Sequence, residues 1–164
     1  MDVYKGRTIK LGNDIDTDII IPTRYMTLEK ISDMKKYAFF PIKKDLPGRI
    51  NQGDIIIAGK NFGCGSSREQ AVEIIKELGI SCIIAISFAR IFYRNSINNG
   101  LLLFENEEIY NLVDSEEIIE VNLKKEIIKT ESGFVSNTPV IPDNLLDIIK
   151  NGGLTEYHRR KNGK

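Results

Sequence analysis

Apolar residues in this chain fall into short runs separated by polar, glycine-bearing stretches, and the order of the runs predicts an α/β fold. Asp54-Ile55-Ile56-Ile57-Ala58, set between Gly53 and Gly59, is the continuous run expected of a strand buried on both faces. Lys60 to Gly65 then reads as a loop, and Ser66 to Gly79 as a helix. Ser66 and Glu69 have the spacing of a capping box, and Gly79 is a helix stop. Cys82-Ile83-Ile84-Ala85-Ile86 is a second buried strand. Ser87 is placed to cap a helix through Phe88, Ile91, Phe92 and Ile97 that stops at Asn98-Asn99-Gly100, and Leu101 to Phe104 is a third strand. Strand, helix, strand, helix, strand implies parallel strands joined by right-handed crossovers.

The flanks are less regular. Tyr4 to Leu11 reads as a first strand, Gly12 to Asp18 as a polar loop, and a further apolar run ends at Pro22. Leu28, Ile31, Met34 and Ala38 have helical spacing before Pro41, Pro47 and Gly48 break it. Beyond Glu117, Ile118 to Leu123 and Glu126 to Thr130 flank Lys124-Lys125 as a hairpin would, and Asn144 to Asn151 reads as a short last helix. No repeat or linker divides the chain. One domain over residues 1–157, followed by a basic tail at 158–164, is the expected organisation.

Composition narrows the classes. A length of 164 residues suits one domain, and 41% hydrophobic with 28% charged residues excludes a disordered chain. The longest nearly apolar stretch, Cys82 to Ala89, falls far short of the roughly 18 residues of a helical membrane span. Met1 to Gly6 has no signal-peptide core, and two cysteines make no disulfide framework, which fits a reducing cytoplasm. Lys and Arg number 23 against 23 Asp and Glu. The neutrality is uneven: residues 1–100 hold 15 basic and 11 acidic side chains, residues 101–157 hold 4 and 12, and the tail from His158 holds 4 and none. A neutral chain is a poor nucleic-acid binder, and the tail reads as a solvated, frayed end.

The only histidine is His158, in the tail, so a Ser-His-Asp or Cys-His machine supplied wholly by this chain is not expected. Cys64 and Cys82 stand alone, without ligands enough for a zinc or iron–sulfur site. Catalysis would need a cofactor or a partner chain. Around Gly59 to Glu69, Lys60 precedes the loop where a Walker motif needs Lys at its end, and Arg68 stands where the dinucleotide fingerprint needs its third glycine. What remains is a helix N-terminus with Arg68 beside it, an arrangement suited to an anion and, through the arginine fork, to a carboxylate. Ser66 and Ser67 admit two readings: helix caps, or a serine oxygen held as a general base beside a bound carboxylate. Asp14, Asp16 and Asp18 read as an Asx-rich turn, since the glycine and terminal glutamate of a calcium loop are missing.

Three long motifs, Gly59 to Ala71, Ser87 to Asn95 and Asp16 to Pro22, taken in that chain context from about Gly6 to Tyr157, resemble the small subunits of 3-isopropylmalate dehydratase, the swivelling domain of the aconitase superfamily. The short length resembles the compact archaeal-type subunit. The resemblance implies a three-layer β/β/α swivelling domain, with a parallel βαβαβ core and an added hairpin, that closes over a large subunit carrying a [4Fe–4S] cluster. It implies no cofactor or metal in this chain, Ser66 as the base, and Ser67, Arg68, Thr17 and Asp18 around the substrate. Arg24, Tyr25, Met26 and Thr27 would form the loop that selects the substrate. Homoaconitase-like members carry Arg two places after the Tyr and isopropylmalate members an apolar residue; Thr27 matches neither. A neutral residue there leaves a second distal carboxylate unpaired, which favours 3-isopropylmalate, then citramalate or dimethylmalate, then homoaconitate. A phosphate- or nucleotide-binding module and a non-catalytic assembly protein are the alternatives of other classes. A homo-oligomer of the isolated chain stays open.

Overall fold

The computed structural model describes residues 2–163, so Met1 and Lys164, the outer ends of the two expected segments, lie outside the described residues. Strand β1 (Val3–Lys10) leads into three single helical turns, α1 (Thr17–Ile20), α2 (Ile31–Met34) and α3 (Leu46–Arg49). Next come β2 (Ile55–Ala58), α4 (Glu69–Glu77), β3 (Cys82–Ala85), α5 (Arg90–Asn98) and β4 (Leu102–Glu105), the alternation that the apolar runs predict. The chain continues through α6 (Glu107–Leu112), β5 (Ile118–Asn122), β6 (Ile127–Thr130), β7 (Val135–Asn137), α7 (Asp143–Lys150) and α8 (Leu154–Lys161).

All seven strands join one sheet in the order β4-β3-β2-β1-β5-β6-β7. Pairing is parallel from β4 through β1 and antiparallel from β1 through β7, so β1 belongs to both halves. The pleat sends Ile56 and Ala58 of β2 to one face, where Val72 and Ile75 of α4 join their apolar cluster. Ile55 and Ile57 go to the other face and share a second cluster with Ile119, Val121 and Ile128 of the antiparallel half. The sheet therefore curls until its hairpin half covers its parallel half. This produces β-over-β-over-α layers within one hydrogen-bonded sheet, and it explains why β2 and β3 are apolar at every position. Asp54, only 4% exposed, accepts from Arg7 Nη2 at 2.7 Å and from the Asn51 N–H at 2.8 Å. A buried carboxylate needs such partners, and these tie the turn before β2 to β1.

Several local expectations are corrected. Helix α4 starts at Glu69 with Arg68 in the N-cap position and no side-chain cap, so Ser66 and Glu69 form no capping box. Ser87 does not cap α5, whose N-cap is Ala89; its hydroxyl instead accepts from the Asn61 N–H at 2.9 Å. In both cases tertiary loop contacts hold the serine one or more residues short of the helix. The spacing over Leu28 to Phe39 yields only α2 and a 3₁₀ turn at Lys35–Tyr37, because Phe39 turns to φ 57° and is fully buried. Residues His158 to Lys161 continue α8 instead of fraying, although they are exposed. Strand β7 and helix α6 were not anticipated.

Candidate active site

The loops that leave β1, β2 and β3 meet at the carboxyl ends of the parallel strands, where open α/β sheets bind ligands. The Gly63-to-Ser66 loop lies along Ile15-Asp16-Thr17. The Gly63 N–H donates to the Ile15 carbonyl at 2.7 Å, the Thr17 N–H donates to the Cys64 carbonyl at 2.9 Å, and Thr17 Oγ1 donates to the Ser66 carbonyl at 3.0 Å. Glycine at 63 is a geometric necessity: φ is +80°, and a Cβ there would stand 2.1 Å from Phe92 Cγ. Asp16 caps α1 through the Ile19 N–H at 2.8 Å, so the acidic loop is the Asx turn that the sequence suggests.

A cavity of about 340 Å³ opens at this junction. Thr17, Ser66, Ser67 and Arg68 form one wall, and Arg90, Ile91, Phe92 and Asn95 of α5 form the other. Four of the expected site residues therefore share one space. Arg90 and Asn95 both stand in the motif from Ser87 to Asn95, where the sequence attaches no role to Asn95; the docking of α5 against the glycine loop brings them to the cavity. Both serines are exposed, and among the described residues neither hydroxyl has a hydrogen-bond partner in the protein.

Asp18 and the Arg24–Thr27 loop do not line the cavity; Asp18 is tied to it through Arg68, which also bonds Thr23, the residue before that loop. Nη1 of Arg68 donates to Asp18 Oδ1 at 2.7 Å and to the Ile21 carbonyl at 3.2 Å, and Nη2 donates to Thr23 Oγ1 at 2.9 Å. Bonding from Thr23, and then from Arg68, holds the Asp18 carboxyl below its usual range. Thr23 opens a 3₁₀ turn through Tyr25. The Tyr25 ring stacks on Tyr37 with centroids 3.9 Å apart and planes 7° from parallel, and the Arg24 guanidinium lies 4.8 Å over Tyr25. Thr27 Oγ1 donates back to the Arg24 carbonyl at 3.3 Å. An aromatic base thus fixes the loop, and its arginine is engaged by that base.

Neither cysteine offers a thiolate. Burial, then Asp16 and Asp14, push the Cys64 thiol up, and full burial takes Cys82 to about 12. Among the described residues no three His, Cys, Asp or Glu side chains gather as a metal site, so this chain's own groups do not fit a cluster. No helix among the described residues is long and apolar enough to cross a membrane.

An α/β domain whose Ser-Ser-Arg loop faces an arginine-bearing helix across one cavity defines a class, and residues 14–109 match the aconitase C-terminal domain family. The 3-isopropylmalate dehydratase small subunit of Lachnospira eligens is 54% identical, over 98% of this chain and 96% of that protein. The isopropylmalate/citramalate isomerase small subunit of Methanocaldococcus jannaschii is 44% identical, over 97% and 95%. A crystal structure of a 3-isopropylmalate dehydratase from the same archaeon superposes with a TM-score of 0.91 at 38% identity, covering 98% of this chain and 95% of that one. The chain belongs to the family of 3-isopropylmalate dehydratase small subunits, within the aconitase C-terminal domains.

Proposed function

We propose that this chain is the small subunit of a heteromeric hydro-lyase that interconverts 2-isopropylmalate and 3-isopropylmalate by dehydration and rehydration, as in leucine biosynthesis. The carrying observation is one cavity lined by both Arg68 and Ser66, whose hydroxyl caps no helix. Arg68 binds one substrate carboxylate, with Ser67 and Thr17 flanking it. Ser66 Oγ, as alkoxide, takes the proton from the carbon next to that carboxylate. The unpaired N–H groups at the α4 N-terminus favour negative charge nearby, which stabilises the alkoxide and then the carbanionic substrate oxygens. Asp18 holds Arg68 in place through Nη1.

The catalytic partner is a large iron–sulfur subunit, a reading supported by the kinship with 3-isopropylmalate dehydratase small subunits. If that subunit carries a [4Fe–4S] cluster, Lewis-acid activation of the substrate hydroxyl would come from it and not from this chain. Uncharged Thr27 offers no cation to a second distal carboxylate, and Arg24 lies over the Tyr25 ring, so that it would have to leave the ring to meet one, which favours an alkyl side group. Citramalate is the second reading, favoured by the 44% identity to the M. jannaschii isopropylmalate/citramalate isomerase small subunit. Cysteines kept as free thiols support a reducing cytoplasm as the compartment.

Reconstitution with an iron–sulfur large subunit tests the proposal. The complex is expected to hydrate and dehydrate 3-isopropylmalate while the lone chain does not. Ser66→Ala is expected to assemble normally and to lose at least about 10²-fold in kcat. Turnover retained in that variant overturns Ser66 as the base, and a wild-type complex inert toward isopropylmalate and citramalate overturns the substrate class.

A further inference from the structure

Resting on the carboxylate-binding role of Arg68, we infer that Thr23 is a positioning residue for that arginine and couples the specificity loop to it. Thr23 Oγ1 accepts from Arg68 Nη2 at 2.9 Å and donates to Asp18 Oδ1 at 2.8 Å, while Asp18 Oδ1 accepts from Arg68 Nη1 at 2.7 Å. These three bonds close a ring across the edge of the guanidinium that carries its two terminal nitrogens. A guanidinium has five N–H groups in one plane. The ring uses one on each terminal nitrogen, and the Ile21 carbonyl takes the second on Nη1 at 3.2 Å. The two that remain, Nε–H and one Nη2–H, lie side by side on the other edge. That pair matches the two oxygens of a single carboxylate.

The ring therefore does more than hold a charge near the cavity; it selects which edge of Arg68 is offered. Asp18, whose side chain is 61% exposed, and the Ile21 carbonyl both act on Nη1, one point of contact that leaves the far end of the plane free to swing. The second contact, from Thr23, fixes the plane. Thr23 is also the first residue of the turn that runs to Tyr25, whose ring is stacked on Tyr37. A change in the specificity loop that shifts this turn moves the hydroxyl holding Arg68. Loop sequence thereby tunes affinity for the carboxylate as well as for the side group.

Thr23→Val keeps the shape and deletes the hydroxyl, and Thr23→Ser restores it. In the complex with the large subunit, Thr23→Val is expected to raise KM for 3-isopropylmalate about tenfold, with kcat within about twofold, and Thr23→Ser to return KM to the wild-type value. Turnover by the wild-type complex tests the functional reading, whereas the variant-to-wild-type ratio tests this one; an unchanged KM in Thr23→Val overturns it. Nitrogen-15 spectra of the arginine side chains in the isolated chain read the geometry without turnover. Arg68 is expected to show separate Nη signals in wild type and in Thr23→Ser, and averaged ones in Thr23→Val. Averaged signals in wild type, or separate ones in Thr23→Val, overturn the inference whatever the enzyme does.

Discussion

Ser66 owes its availability to a few backbone angles. Arg68 takes the extended N-cap conformation, φ −126° and ψ 109°, so α4 starts too late for either serine to cap it. The turn that delivers them passes Gly63 under Phe92, where any side chain would collide. Gly133, at φ +89°, has nothing within 4 Å of an added Cβ and isolates the conformational part of the cost. Gly133→Ala is expected to destabilise by about 1 kcal/mol, the left-handed penalty alone. Gly63→Ala adds a clash with the ring, which brings the total to roughly 2–4 kcal/mol. Urea unfolding of the two variants checks the difference, and equal midpoints would mean that the loop moves aside without cost.

Elements buried on both faces are also the ones legible from the chain. Strands β2, β3 and β4 announce themselves because curling leaves their central positions no polar face, and Gly79 and Gly100 stop the intervening helices at positive φ. Removing Ile84, fully buried between the hairpin half and α6, is expected to cost about 2–5 kcal/mol as Ile84→Ala. Val140→Ala, at a residue 70% exposed, should change stability by no more than about 0.5 kcal/mol; thermal unfolding compares them. What could not be read are the features set by distant partners. Ser66 and Ser87 have good capping spacing, yet the contacts of Thr17 with the Ser66 carbonyl and of Asn61 with the Ser87 hydroxyl decide where those loops lie. Helix α6 depends on Asn106, which caps it through the Ile109 N–H while donating to Ser136 and Asn137 of the three-residue β7. The motifs bring Arg68, its two serines and Thr17 to the lining of one cavity. The ring through Thr23 was not legible, since it joins residues 45 and 50 positions from Arg68.

At the scale of the molecule, the cavity is lined wholly from residues between Thr17 and Asn95. That span lies in the basic first hundred residues, with 15 basic against 11 acidic side chains. The acidic stretch beyond residue 100 builds β4 to β7, α6 and α7, and contributes no residue to that cavity. On the proposed reading, one wall offers Arg68 for a carboxylate and Ser66 for a proton, and the rest of the substrate would face the large subunit. Selectivity in such a shared site depends on what each subunit leaves unpaired. Here the loop after Pro22 offers Thr27, with its hydroxyl on the Arg24 carbonyl, and Arg24 itself lies over the Tyr25 ring. On the proposed reading, a substrate with an additional carboxylate, such as homoaconitate, meets no cation at position 27 and binds more weakly unless Arg24 leaves the Tyr25 ring. Thr27→Arg supplies the missing partner. In the reconstituted complex it is expected to raise the kcat/KM ratio of homoaconitate over 3-isopropylmalate by at least about tenfold, measured by competition between the two. A ratio equal to wild type would place the loop beyond reach of the substrate side group and return selectivity to the large subunit.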